Sequence, residues 1–188
     1  TSEFRKKPYQ IKTEKKIDLL GMGKAKTWCL IKDGGYFVGQ KLGLDLGLAL
    51  GLSCTPDSRF VDVYMNGEYI GCYTLTEKVQ VKKERVEITD LEEIVEETGI
   101  TPETDLTGGY LMEIDNYAGD PIVLHTNGNS ITVKSPENLD STATKDNHYS
   151  YIYNLMDDLF TAIYGDGKMK DGSSYLDHID IESFVRYY

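Results

Sequence analysis

The clearest alternation of apolar and polar positions in the chain lies between residues 59 and 77, RFVDVYMNGEYIGCYTLTE. Two alternating runs flank Asn66-Gly67, a pair that tolerates the positive φ angles of a tight turn. The pattern predicts a β-hairpin. Its return strand ends on Glu77, and a charge at a strand end is either solvated or part of a functional site.

Shorter alternations predict further strands at residues 4–12, 28–32 and 110–115. Residues 121–136 predict a second hairpin around Asn127-Gly128, terminated by Pro136. Residues 14–26, with six charges and two glycines, are expected to be a loop, and residues 79–88 to continue as an extended, charged segment. The strands are therefore numerous, short and suited to antiparallel pairing.

Helical spacing governs the remaining segments. Residues 36–52 combine leucines with a glycine at every fourth position, and Lys41 and Asp45 lie four apart. This spacing favours a helix in which the glycines, which lack side chains, lie along one side and allow a neighbouring segment to approach closely. Thr89-Asp90 is expected to cap a short acidic helix that Gly99 closes. Residues 149–164 form a clear amphipathic pattern, and residues 177–188 are expected to begin a last helix with Asp180 as its N-cap. The elements predict an α+β fold.

The charge distribution is uneven. The 188 residues carry a net charge of −11, but residues 1–41 sum to +6 and the remainder to −17. A basic head suits a phosphate-bearing or acidic ligand, although an ordinary solvated pattern explains it equally well. An acidic chain does not favour nucleic-acid binding, which requires a broad basic surface. The most apolar run, residues 42–52, is too short to span a bilayer and contains Asp45.

Familiar catalytic signatures are missing from these residues. The three cysteines form no Cys-x-x-Cys pair and are expected to be small buried residues. The segment Gly21-Met22-Gly23-Lys24 has neither the spacing of a phosphate-binding loop nor a following helix. His125 has no second histidine or cysteine at metal-binding spacing, which favours a structural role.

Two carboxylates project from one face of the strand at residues 110–115. Glu113 and Asp115 are two positions apart, so they share a face. They suit a divalent cation or a fixed ligand, and they equally suit a solvated sheet edge. The residues alone leave both readings open.

Six separated segments together resemble the spore coat protein H (CotH) kinase family. They are KPYQIK at 7–12, DLLGMGKAKTWCLIKD at 18–33, RFVDVYMNGEYIGCYTLTEKV at 59–79, GGYLMEID at 108–115, ITVKSPE at 131–137 and IDIESFVRYY at 179–188. The resemblance runs in order through nearly the whole chain.

This resemblance implies an atypical protein kinase fold. The family has a small N-terminal lobe of antiparallel strands with one main helix, then a largely helical lobe, with ATP and Mg²⁺ or Mn²⁺ between them. Residues 1–100 would form the first lobe, and residues 101–188 a strand pair and the beginning of the second. The implied activity is phosphate transfer to Ser or Thr of secreted, surface or spore coat proteins.

The resemblance also suggests site residues, since a kinase needs a lysine for phosphates, acids for metal and a carboxylate to orient the hydroxyl. Lys12 is the expected phosphate lysine, and Glu77 would hold a lysine or a metal-bound phosphate. Tyr110 and Lys134 would line the same cleft. Glu113 and Asp115 are the metal candidates.

Two features depart from the family pattern. Gly39-Gln40 stands where the family usually has an Arg-Asn pair. The Asn-x-Asp loop of the catalytic Asp and the Trp-Asp-Phe-Asp metal motif do not occur, so catalytic residues are expected beyond Tyr188 and the 188 residues alone are expected to be inactive. The alternative is a noncatalytic binding or scaffold module of a spore coat or cellulosome-associated protein. The oligomeric state is not predicted.

Overall fold

The computed structural model describes residues 6–32, 38–83, 85–99, 105–114, 122–137 and 148–188. Asp115, one of the two predicted metal ligands, lies outside these residues. The chain divides into two compact units, the first comprising residues 1–79 with 186–188 and the second residues 80–185.

The first unit is built on a four-stranded antiparallel sheet. Its strands are β1 (Tyr9–Asp18), β2 (Lys24–Ile31), β3 (Ser58–Met65) and β4 (Glu68–Glu77), in the order β1-β2-β4-β3. The predicted hairpin at 59–77 is confirmed as β3 and β4. Asn66 and Gly67 both adopt positive φ, at 52° and 85°, as the turn requires.

One face of this sheet carries the apolar core of the unit. Trp28 is completely buried there and is surrounded by a cluster of mostly apolar side chains: Met22, Ala25, Leu30, Tyr73 and Leu75. The opposite face of β3 and β4 is buried only at the end away from the turn, where its buried side chains carry hydroxyls: Ser58, Thr74 and Thr76. We call this second face the hydroxyl face.

The glycine-rich helix is confirmed as α1 (Gly39–Ala49), with Lys41 and Asp45 forming the expected ion pair. The close approach occurs at Gly47, where an added Cβ would lie 2.9 Å from Cγ2 of Thr55. By contrast, Gly43 faces open space and Leu42 is 64% exposed. Within α1, the glycine stripe therefore meets a neighbour among the described residues only at Gly47.

Two sequence expectations for this unit are wrong. Residues 14–18 belong to β1 rather than to a loop, because Ile17 and Asp18 still pair with Ala25 and Lys24 in a ribbon exposed to solvent, which needs no apolar alternation. The Gly21-Gly23 segment joins these antiparallel strands as a turn, and a strand rather than a helix follows it, as the sequence led us to expect. The cysteines are not buried: Cys54 is exposed, and the other two are half-buried.

A third expectation fails at the start of the second unit. Residues 79–88 were expected to be extended, but they form a turn in which the Val86 amide donates to the Gln80 carbonyl over 3.2 Å. Val81 and Val86 are both buried, whereas Lys82 and Lys83 between them are exposed.

The second unit contains a three-stranded antiparallel sheet and most of the helices. Its elements are α2 (Leu91–Thr98), β5 (Leu111–Ile114), β6 (Val123–Thr126), β7 (Asn129–Ser135), α3 (Ser150–Tyr164), a 3₁₀-helix (Tyr175–His178) and α4 (Ile181–Tyr187, whose last two residues join the first unit), with sheet order β5-β7-β6. The second hairpin, the Asp90 cap, the amphipathic helix and the Asp180 start are all confirmed. The chain is thus α+β with antiparallel sheets, as predicted, and is consistent with a kinase-like N-lobe.

The amphipathic stripe of α3 packs on this sheet. Ile152 of α3 is fully buried against four sheet-side residues: Ile122, Leu124, Ile131 and Val133. The hairpin turn is also fastened to the helix, because the Thr126 hydroxyl donates to Asp157 over 2.6 Å and the Asn127 amide to the Thr161 hydroxyl over 3.2 Å. Sheet and helix therefore form one packed layer pair.

Candidate functional site

Lys12 and Glu77, predicted to serve one site, lie on opposite faces of the first sheet. The strand register sets Glu77 beside Trp28 and Ile11 on the core face. Lys12 pairs with Thr27 in the next row, and side chains of successive rows point to opposite faces. Lys12 is accordingly exposed on the hydroxyl face, and the register does not bring Glu77 to it.

The charge of Lys78 affects one residue of the hydroxyl face, Cys29. Burial raises the pKa of the Cys29 thiol, and the nearby charge of Lys78 partly opposes that rise. Cys29 shares its face with Lys12, which lies two positions along the sheet. The exposed ammonium group of Lys12 on this face is suited to a phosphate.

The second sheet brings together two other predicted residues. Lys134 of β7 forms an ion pair with Glu113 of β5, with 2.9 Å between Nζ and Oε2. Both side chains remain accessible, at 37% and 53% exposure. The sequence proposed both residues but not their pairing, because the register of β5 against β7 cannot be read from either strand alone.

Tyr110, also predicted, meets a residue that the sequence reasoning missed. Its hydroxyl lies 3.0 Å from Nδ1 of His148, and its ring stacks on Tyr151 with 6.1 Å between centroids. Burial raises the pKa of Tyr110, so the phenol stays neutral. The only sequence signal for His148 is its place just before the amphipathic helix.

His148 is fully buried, and its Nε2 atom makes no hydrogen bond within the described part of the chain. Burial lowers the pKa of the imidazole. A charged imidazole here would face the Tyr110 hydroxyl rather than a carboxylate, so the neutral form is favoured. The Tyr110–His148 pair is thus a neutral, buried contact that fixes the tyrosine hydroxyl.

The metal ligands expected from the sequence do not form a group in the described ranges. Glu113 is engaged by Lys134, and Asp115 is not among the described residues. Among the residues that the structure describes, no three His, Cys, Asp or Glu side chains lie close enough together to hold a metal ion. His125 instead lies 3.1 Å from the Ser130 hydroxyl.

Comparison with known proteins addresses the family directly. The family model described as CotH kinase protein matches residues 1–188. The chain belongs to the CotH kinase family. No curated protein and no solved structure matches it.

Membership of the CotH kinase family supports a kinase-like protein and agrees with the sequence motifs that suggested it. The match includes both sheets, so the hydroxyl face and the Lys134–Glu113 pair lie within the family domain. Among the described helices of this family member, none has the length and apolarity to cross a membrane. Family membership leaves the roles of individual residues to be proposed from their geometry.

Proposed function

We propose that this chain is the nucleotide-binding part of an ATP-dependent protein kinase that phosphorylates hydroxyl groups of coat or surface proteins. The observation that carries the proposal is the 2.9 Å ion pair between Lys134 and Glu113. A phosphate-binding lysine must be held in place while its ammonium group stays accessible, and Lys134 meets both conditions.

The chemistry of Lys134 suits this role. An ammonium group has three donors, so one can bind Glu113 while the others contact phosphate oxygens. The carboxylate orients the lysine and lowers the entropy lost when a phosphate is bound. Lys12, on the first sheet, stays a separate proposed phosphate-binding lysine.

Tyr110 is proposed to line the nucleotide site as a neutral hydroxyl fixed by His148. Because burial raises the pKa of Tyr110, the hydroxyl adds no negative charge near phosphates. Glu77 remains proposed as a holder of a metal-bound phosphate or of a lysine other than Lys12. In these roles the residues bind and orient the nucleotide.

Bound ATP would supply the phosphoryl group, with Mg²⁺ or Mn²⁺ neutralising its charge. Because the described residues contain no converging metal ligands, no step through the metal is assigned to them. The Asn-x-Asp and Trp-Asp-Phe-Asp motifs do not occur in the 188 residues. We therefore propose that these residues bind nucleotide without transferring phosphate by themselves.

The protein context belongs to the same proposal. Family membership supports association with a spore coat, a cell surface or a secreted protein assembly. A protein substrate with accessible Ser or Thr hydroxyls follows from the kinase assignment.

Isothermal calorimetry with ATP and either Mg²⁺ or Mn²⁺ tests the nucleotide site. Lys134→Ala should weaken binding about 10-fold or more, since a charge-assisted hydrogen bond to phosphate is lost. Glu113→Gln should weaken it less, because the lysine stays but is no longer fixed. Lys82→Ala is the matched control, since it also removes the lysine of a lysine–carboxylate pair in the second unit and should leave binding unchanged.

The outcomes of these measurements distinguish between the competing interpretations. Heat that persists in Lys134→Ala but disappears in Lys12→Ala and Glu77→Ala would move the site to the first sheet. No heat with either metal would contradict nucleotide binding and favour the noncatalytic coat or cellulosome-associated module. Transfer of labelled phosphate by the 188 residues, lost in Lys12→Ala, would contradict the expected inactivity.

A further inference from the structure

The outer half of the β3–β4 hairpin extends beyond the rest of the first sheet. Strand β2 pairs with β4 between Thr74 and Glu77, whereas β3 pairs with β4 as far as the turn. Residues 61–73 therefore form a two-stranded ribbon, which we call the hairpin ribbon. Its position at the end of an edge strand makes it accessible to another molecule.

The hairpin ribbon displays a pair of aromatic rings. Tyr64 lies opposite Tyr69, with 5.2 Å between ring centroids and a 48° angle between the planes. The two residues are 67% and 53% exposed. Tyrosine is an amphipathic residue enriched at protein interfaces, so an exposed pair marks a candidate contact surface.

A carboxylate fixes this pair. The Tyr69 hydroxyl donates to Oδ1 of Asp62 over 2.9 Å, and this bond, together with the negative charge of Asp62, raises the pKa of Tyr69. Asp62 shares its face with Tyr64, two residues further along the strand. The rings and the carboxylate thus form one surface, which we call the tyrosine–aspartate face.

The charge of the hairpin ribbon is entirely negative. Its two charged residues are Asp62 and Glu68, and Glu68 lies in the row next to Tyr69. Aromatic faces and carboxylates both attract cations. The same ribbon already binds an ammonium group on its opposite face, where Nζ of Lys6 lies 4.3 Å from the Tyr73 ring centroid and donates to the Cys72 carbonyl.

We propose that the tyrosine–aspartate face binds a lysine or arginine side chain on an extended segment of a partner protein. The 48° tilt between the rings offers two walls for one cation rather than a flat platform for sugar rings. The negative charge of the ribbon supplies the complementarity that attracts a basic segment. This contact is separate from nucleotide binding and does not depend on the proposed kinase function.

Fluorescence anisotropy with the 188-residue chain tests the proposal. The probe is a labelled nine-residue peptide of alternating arginine and serine, and the matched peptide has glutamate in place of arginine. The arginine peptide should bind and the glutamate peptide should not, with weaker binding at high salt. Tyr64→Leu should weaken binding about 2- to 5-fold, since it keeps an apolar side chain but removes the cation–π contact.

Asp62→Asn should also weaken binding and should flatten its salt dependence. Glu96→Gln is the matched control because it removes one exposed negative charge from α2, far along the sequence from the hairpin ribbon. Tyr69→Phe keeps the ring and releases Asp62 from its hydrogen bond, so the affinity should be retained. Circular dichroism would verify that each variant folds.

Three results would overturn the proposal. Equal weakening by Glu96→Gln and Asp62→Asn would show attraction to the net charge of the chain rather than to this face. Unchanged binding in Tyr64→Leu would remove the aromatic contact. Binding of cellohexaose that depends on Tyr64, with no binding of the arginine peptide, would identify a polysaccharide surface instead.

Discussion

The two sheets share a local sequence signal and differ in what surrounds it. Each contains a hairpin closed by Asn-Gly with positive φ at both turn residues. In the second sheet, the turn is fastened to α3 through Asp157 and Thr161. In the first sheet, the turn ends a ribbon whose tyrosines Tyr64 and Tyr69 are largely exposed.

This difference follows from the helices that each sequence provides. Helix α3 has a continuous apolar stripe that covers its sheet, including Ile152 at complete burial. In α1, glycine alternates with leucine, and Leu42 and Leu46 stay exposed. The same turn chemistry therefore produces a packed hairpin in one unit and an exposed ribbon in the other.

Removing the central side chain of the first core should produce the largest effect. Trp28→Ala is expected to lower the free energy of unfolding by about 3–5 kcal/mol, since the indole is completely buried. Tyr64→Ala, which removes an exposed aromatic ring, should change it by less than about 0.5 kcal/mol. Urea unfolding followed by circular dichroism measures both, because Trp28 is the sole tryptophan and its fluorescence is lost.

Hydrogen exchange on the same variant sharpens the comparison between the units. Amides of β2 and β4 should lose protection in Trp28→Ala, and amides of β6 and β7 should lose much less. Equal loss of protection in both sheets would contradict the expectation that the two apolar cores open separately.

A methyl group added at Gly109, just before β5, should lower the stability more than a methyl group added at Gly67, in the turn of the first sheet. A Cβ at Gly109, where φ is +92°, would lie 2.3 Å from the Thr89 carbonyl oxygen. Gly67, at φ +85°, has open space around it. Gly109→Ala should cost about 3 kcal/mol and Gly67→Ala about 1 kcal/mol, measured as thermal unfolding shifts. Similar costs would mean that Thr89 moves aside.

Each hairpin donates a side-chain hydrogen bond to an aspartate, and replacing that aspartate shows how much the bond contributes to stability. Asp157→Ala removes the acceptor of the 2.6 Å bond from Thr126 and should cost about 1–2 kcal/mol. Asp62→Ala removes the acceptor of an exposed tyrosine hydroxyl and should cost less than about 0.5 kcal/mol. A larger cost at Asp62 than at Asp157, by urea unfolding, would contradict the structural role assigned to the α3 contact.

Local signals account for most of the fold that could be predicted. The turns at Asn66-Gly67 and Asn127-Gly128, the cap at Asp90 and the stripe of α3 depend on neighbouring residues, and all were recovered. Residues 14–18 were missed because a strand exposed to solvent needs no apolar alternation. The turn at residues 79–88 was missed because the burial of two valines depends on tertiary contacts.

The candidate site was less predictable because it depends on register and on distant pairs. Lys12 and Glu77 are both strand residues, but only the pairing of β1, β2 and β4 reveals that they face opposite ways. Lys134 and Glu113 lie 21 positions apart and meet through the pairing of β5 with β7. Neither arrangement can be predicted from the sequence of one strand alone.

The Tyr110–His148 pair should make the stability of the second unit depend on pH, with no counterpart in the first sheet. Burial lowers the pKa of His148 below its value in the unfolded chain, about 6.5, so its contribution is fully present above that pH. As the pH falls, the unfolded chain takes up the proton first, and the free energy of unfolding decreases by up to about 1.4 kcal/mol per pH unit until the folded-state pKa is reached. Urea unfolding at pH 7.5 and 5.5 measures this loss, and His148→Asn, which keeps an acceptor for Tyr110 but does not titrate, should lose less. An equal loss in both proteins would assign the acid sensitivity to other groups.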